Sequence, residues 1–250
     1  VAGLFAGLLG VGGGLIIVPA LIWLFHGNGF HPSLIVHLAV GTSLATIIVT
    51  SISSIRAHHR RGAVRWPLVA QLTPGIVVGA WLGAAVADLL PTLWLQRVFA
   101  AFVILVGLQM LLGARAEAHR ELPGNAGMIT AGSLIGLISA IVGIGGGSLT
   151  VPFLNWCSVD MRSAVATSAA CGLPIAVAGT LGFVVAGWGE QLLPAGSSGF
   201  VYWPAFVAVS VASFLLAPLG ARLAHSLPLA ALKRVFAALL FVVGIRMMTS

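Results

Sequence analysis

Two glycine runs carry the first chemical signal in this chain. Gly10-Val11-Gly12-Gly13-Gly14 is followed by Val18-Pro19, and Gly143-Ile144-Gly145-Gly146-Gly147 by Val151-Pro152. Glycine costs a helix interior about 1 kcal/mol relative to alanine, and proline about 3 kcal/mol, so neither stretch is expected to stay regular. Unwinding frees backbone N–H groups at the start of the half-helix that follows. With the positive end of the helix dipole, those donors make a seat for an oxyanion, and the missing side chains let the backbone approach it closely. Gly12, Gly13, Gly14, Gly145, Gly146 and Gly147 are therefore candidate binding residues. A single run would read more simply as a packing patch of small residues. Two runs in matching places favour the seat.

Each run is followed by a hydroxyl pair, Thr42-Ser43 and Thr167-Ser168, about two turns into an apolar helix. Such hydroxyls can bond back to the carbonyl four residues earlier; their recurrence favours donation to the anion instead. Asn155, shortly after Pro152, has Ile22 as its counterpart and would make the site asymmetric. His37 and Arg162 open the two hydroxyl-bearing helices. A cation there opposes the dipole by about 0.3–1 kcal/mol, so the repeated placement needs a reason. The reading is that each draws anions into a vestibule, His37 on the outer side with a titratable hold and Arg162 on the cytoplasmic side with a permanent one. The plainer alternative for Arg162 is a local pair with Asp160.

The elements that must position these residues follow from composition. Of 250 residues, 59% are hydrophobic and only 7% charged, where a soluble domain carries about a quarter. That excludes an ordinary soluble globule, and the hydrophobicity excludes disorder. Eight apolar segments can be drawn, at 1–25, 33–55, 66–89, 93–113, 127–156, 161–187, 200–226 and 228–249. Most are long enough to cross a hydrocarbon core of about 30 Å as helices. The net charge of +7 sits in short turns, as membrane orientation requires, and gives no ground for nucleic-acid binding. Cys157 and Cys171 form no motif. His26, His31 and His37 lack metal-ligand spacing, so neither metal nor cofactor is expected.

The chain also repeats itself. Beyond the glycine runs, Trp66-Pro67 recurs as Trp203-Pro204, and Arg97-Val98-Phe99-Ala100-Ala101 as Arg234-Val235-Phe236-Ala237-Ala238. The expected architecture is an all-α polytopic membrane protein of two homologous repeats, 1–113 and 127–250, joined by a cytoplasmic linker, 114–126. If the first and fifth segments are broken and re-entrant, Arg56, Arg60, Arg61, Arg65, Arg115, Arg120, Arg162, Arg222, Lys233 and Arg234 fall inside, with only Arg97 and Arg246 outside. Three crossings per half then make the repeats inverted. The run His58-His59-Arg60-Arg61 reads as an orientation-setting loop beside anionic lipid.

Gly7-Leu8-Leu9-Gly10-Val11-Gly12-Gly13-Gly14, its counterpart from Gly136 to Pro152, and the Ala-Val-x-Thr-Ser stretches at 39–43 and 164–168 resemble the TauE/SafE sulfite exporter family. The resemblance spans essentially the whole chain. It implies a multi-pass protein of the bacterial inner membrane that exports small sulfur-containing anions, such as sulfite or organosulfonates. A passive anion channel stays open as an alternative. An intramembrane enzyme is less favoured, since Asp88 and His225 are repeat equivalents at opposite faces and no catalytic motif is present. The partners implied are a small anionic substrate and the bilayer, with self-association into a homo-oligomer left open.

Overall fold

The computed structural model describes residues 14–112, 121–213 and 229–249. Within them the fold is almost wholly helical. The first half supplies α1 (Gly14–Gly27), α2 (Ile35–His59), α3 (Trp66–Leu89) and α4 (Thr92–Leu112). The second supplies α5 (Asn125–Val142), α6 (Gly147–Trp156) and α7 (Met161–Ala186). A short antiparallel hairpin of β1 (Ser197–Ser198) and β2 (Val201–Tyr202) follows, then α8 (Trp203–Ser213) and α9 (Leu229–Thr249). Five helices, α2, α3, α4, α5 and α7, are long and apolar enough to cross a membrane. The apolar stretch expected over 127–156 is two helices, α5 and α6.

Large apolar side chains cover the outside, among them Val78, Leu105 and Leu112, as suits a surface facing lipid rather than water. Several exposed tryptophans stand near helix ends, Trp23, Trp66, Trp94, Trp188 and Trp203, where an amphipathic ring suits the interface between hydrocarbon and head groups. The Arg97 guanidinium lies 5.3 Å from the Trp94 ring centre.

Helix pairings built around glycine organise the interior. α2 and α7 run antiparallel: Gly41 lies against Phe183, Gly179 against Leu44 and Gly172 against Ser51. α4 and α9 also run antiparallel, with Gln96 Nε2 donating to the Met247 carbonyl at 2.7 Å and Gly244 against Ile104. α3 and α5 run parallel along a glycine ladder. A Cβ on Gly75 or Gly79 would collide with the carbonyls of Ile129 or Ser133, and one on Gly132 or Gly136 with those of Leu72 or Ile76. Glycine four apart on both helices is what lets two backbones come this near.

Because α5 starts beside the first turns of α3, its beginning lies at the Arg65 end of the bundle. α6 leads to Asp160, whose carboxylate lies 3.5 Å from the Arg65 guanidinium at the same end. The unit α5–α6 thus begins and finishes on one side.

The ladder makes a direct prediction. Gly79→Leu should lower the thermal midpoint of the detergent-solubilised protein sharply, since overpacking a closed contact costs about 1–3 kcal/mol or more. Gly27→Ala, where nothing lies within 4 Å of the added carbon, should stay within about 0.5 kcal/mol of the parent.

Candidate functional site

The turn between α5 and α6 is built by two glycines in the left-handed region. Gly143 (φ 74°) ends α5: its N–H donates to Ala140 O at 3.3 Å and that of Ile144 to Ser139 O at 3.0 Å. That crossed pair is a Schellman closure, which needs a residue free of Cβ. Gly146 (φ 72°) then opens α6, and no side chain caps the new helix. Among the described residues the N–H groups of Gly145 and Gly146 have no backbone acceptor. By contrast α7 is capped: the Asp160 carboxylate accepts from Ser163 N at 2.9 Å. That bond holds the Asp160 carboxyl below its usual pKa. A buried helix start with no cap leaves donors that call for a partner.

The surroundings of this turn are close and uncharged. Gly14 of α1 abuts Gly143 O and Ile144 Cα, so α1 packs against the turn. Ser43 Oγ donates to Gly143 O at 2.9 Å, and Gly172 of α7 lies against Gly145 O. Ser139 Oγ and Thr150 Oγ1 stand 3.5 and 3.4 Å from the point a Cβ would take on Gly146. Both side chains are fully buried, and among the described residues neither hydroxyl has a hydrogen-bond partner; the Ser148 hydroxyl is likewise buried and without one there. The same point is filled by Ile175 Cδ1. Ser139, Ser148 and Thr150 were not among the sequence candidates. Their counterparts, 133 residues earlier, are Ala6, Leu15 and Ile17, so a search for repeated polarity passes over them. The available signal was three hydroxyls around one glycine run in an otherwise apolar stretch.

Of the glycine candidates, Gly14, Gly145, Gly146 and Gly147 gather here, while Gly12 and Gly13 lie outside the described residues. The threonines do something else as well. Thr42 Oγ1 accepts the N–H of Tyr202 at 3.0 Å, and Thr167 Oγ1 accepts that of Arg65 at 3.1 Å. Each donor is the residue before the Trp-Pro of the opposite half. The tryptophans are tied in parallel fashion, Trp66 Nε1 to His59 Nδ1 at 3.2 Å and Trp203 Nε1 to Ser198 Oγ at 2.9 Å. Ser168 is buried on α7, and the counterpart of Ser43's acceptor, Gly10, lies outside the described residues.

The remaining candidates stand apart from the turn. Asn155 is eight residues beyond Gly147, about 12 Å along α6 at 1.5 Å per residue. His37 is buried, its Nε2 donating to Ala87 O at 2.9 Å and its ring 5.2 Å from that of Phe200. Arg162 is exposed. The local pairing of Arg162 with Asp160 does not form: the carboxylate faces Arg65 and caps the helix. The acidic residue nearest in sequence is turned away by its capping duty.

Comparison with known proteins agrees with this architecture. The family model described as Sulfite exporter TauE/SafE matches residues 1–247. The chain belongs to that family. A probable membrane transporter protein of Haemophilus influenzae is 37% identical over 98% of this chain and 94% of its own length. Probable membrane transporter proteins of Methanocaldococcus jannaschii and Bacillus subtilis are 27% and 26% identical, over 88% and 92% of this chain and 79% and 89% of theirs. No solved structure matches. With five helices able to span, this TauE/SafE member is a multi-pass membrane protein.

Two tests follow from the threonine bonds. Thr167→Val should leave the Arg65 N–H without its acceptor and cost about 1–3 kcal/mol, read as a lowered melting temperature, while Thr167→Ser should recover most of it. The glycine turn reacts differently: Gly146→Leu forces a side chain into a left-handed backbone and into Ile175, so it should reduce the yield of folded protein.

Proposed function

We propose that the protein is a secondary transporter that exports small sulfur-containing anions, sulfite or organosulfonates, across the cytoplasmic membrane. One observation carries the reading: a helix begins at a buried turn where, among the described residues, no charged side chain is buried and the N–H groups and neighbouring hydroxyls lack partners. The positive dipole end of a helix, held with unpaired donors in low dielectric, favours an anion beside it. The family description supplies the sulfur oxyanion as the class to test first.

Two inverted repeats are the frame for this transport. Support comes from α2 and α7, counterparts in sequence, which pack antiparallel, as do α4 and α9. The α5–α6 unit, with both ends on one side of the bundle, supports the re-entrant reading of the glycine segment. A site at the junction of inverted repeats, open to each side in turn, is the general plan of secondary transporters.

The deciding experiment is counterflow in proteoliposomes preloaded with sulfite, thiosulfate, sulfoacetate or taurine. Saturable exchange of at least one sulfur anion is expected; flux that never saturates would mean a channel, and no flux with any of the four would sink the reading. Topology is checked with Arg61→Cys and Glu190→Cys, each exposed, in a background where Cys157 and Cys171 are alanine. An impermeant thiol reagent on intact cells should label the second variant and spare the first.

A further inference from the structure

We propose that the seat beside Gly146 accepts monoanions and rejects dianions, so that sulfite is carried in its singly charged, protonated form and sulfonates where the sulfonate is the sole net charge. The proposal rests on the anion seat described above and adds the charge rule and two further binding residues, Ser139 and Thr150.

The argument is one of charge and donors. Among the described residues no Lys, Arg, Asp or Glu is buried. Among the described residues, the groups shown beside the turn are neutral: the N–H groups of Gly145 and Gly146, and the unpartnered hydroxyls of Ser139 and Thr150. α5 and α6 contain no side chain that titrates near neutral pH. α7 contributes the buried Cys171 thiol and the exposed Arg162; α2 contributes exposed Arg56 and His59, half-buried His58 and buried His37; α1 contributes exposed His26, and α3 exposed Asp88. His37 is the nearest of these that is buried and can carry positive charge. It stands six residues before Ser43, about 9 Å along α2, and is engaged with Ala87 O.

A seat of dipoles without a counter-cation stabilises one negative charge far better than two. The cost of removing an ion from water grows with the square of its charge, about fourfold from monoanion to dianion, whereas attraction to fixed dipoles only doubles. Four neutral donors around one turn also suit a group of three oxygens, whether sulfonate or hydrogen sulfite. The Ile175 terminal carbon occupies the space between Ser139 and Thr150, so entry requires that it rotate aside.

The test uses the intact protein in proteoliposomes, with protein-free vesicles subtracted, and three probes. Methanesulfonate is a monoanion at every working pH, sulfate a dianion, and sulfite changes between the two across its second ionisation. Methanesulfonate flux should be flat with pH, sulfite flux should follow the hydrogen sulfite fraction, and sulfate should be slower than methanesulfonate by at least about tenfold. Ser139→Ala and Thr150→Val should each raise the half-saturating methanesulfonate concentration about three- to tenfold, with melting temperatures near the parent's. Sulfate carried as well as methanesulfonate, or sulfite flux that rises with its dianion, overturns the charge rule; if both variants still weaken binding, the seat itself stands. Unchanged half-saturation in both variants overturns the seat along with the rule.

Discussion

Two threonine hydroxyls hold the molecule's halves in register. Thr42 and Thr167 each accept one N–H from the segment that opens the opposite Trp-Pro helix. At these half-buried positions an N–H left without an acceptor costs about 1–3 kcal/mol, so each bond matters to stability. They join α2 to the start of α8 and α7 to the start of α3, at the two ends of the central antiparallel pair. Everything at mid-depth hangs from that pair. Ser43, beside Thr42, holds the carbonyl of Gly143, and Gly172, five residues past Thr167, lies under Gly145. The turn therefore cannot shift without disturbing the contact between halves.

Much of this was legible in the sequence, for a physical reason. Whether a segment can span depends on its own apolar length, and where it breaks depends on its own glycine and proline. Both are local properties, so segments such as 66–89 and the interruption after Val142 could be drawn without knowing the fold. The glycine spacing of Gly75, Gly79 and Gly83 was equally visible, but its partner on α5 was not.

What escaped reading depends on distant residues or on asymmetry. Thr42 and Thr167 read as donors to a ligand; the structure adds acceptor duties toward residues 160 and 102 positions away. Arg162 seemed suited to Asp160 two positions away, yet Asp160 meets Arg65 instead, 95 positions back. Ser139, Ser148 and Thr150 were passed over because repetition served as the filter for importance. Their counterparts 133 residues earlier are apolar or lack a hydroxyl, so polarity present in only one half escapes a filter based on repetition.

The glycine ladder also sets a timetable for synthesis. α3 belongs to the first half, yet the surface that covers its glycines is α5, from the second. Gly75 is made 54 residues before Ile129, the carbonyl it lies against, a delay of about 3–10 s at bacterial-to-slower elongation rates of ~5–20 residues per second. During that interval the nascent first half shows lipid a groove of bare backbone. The halves are thus interlaced rather than joined end to end. A gene cut at the linker would yield two fragments, each missing part of its neighbour's wall.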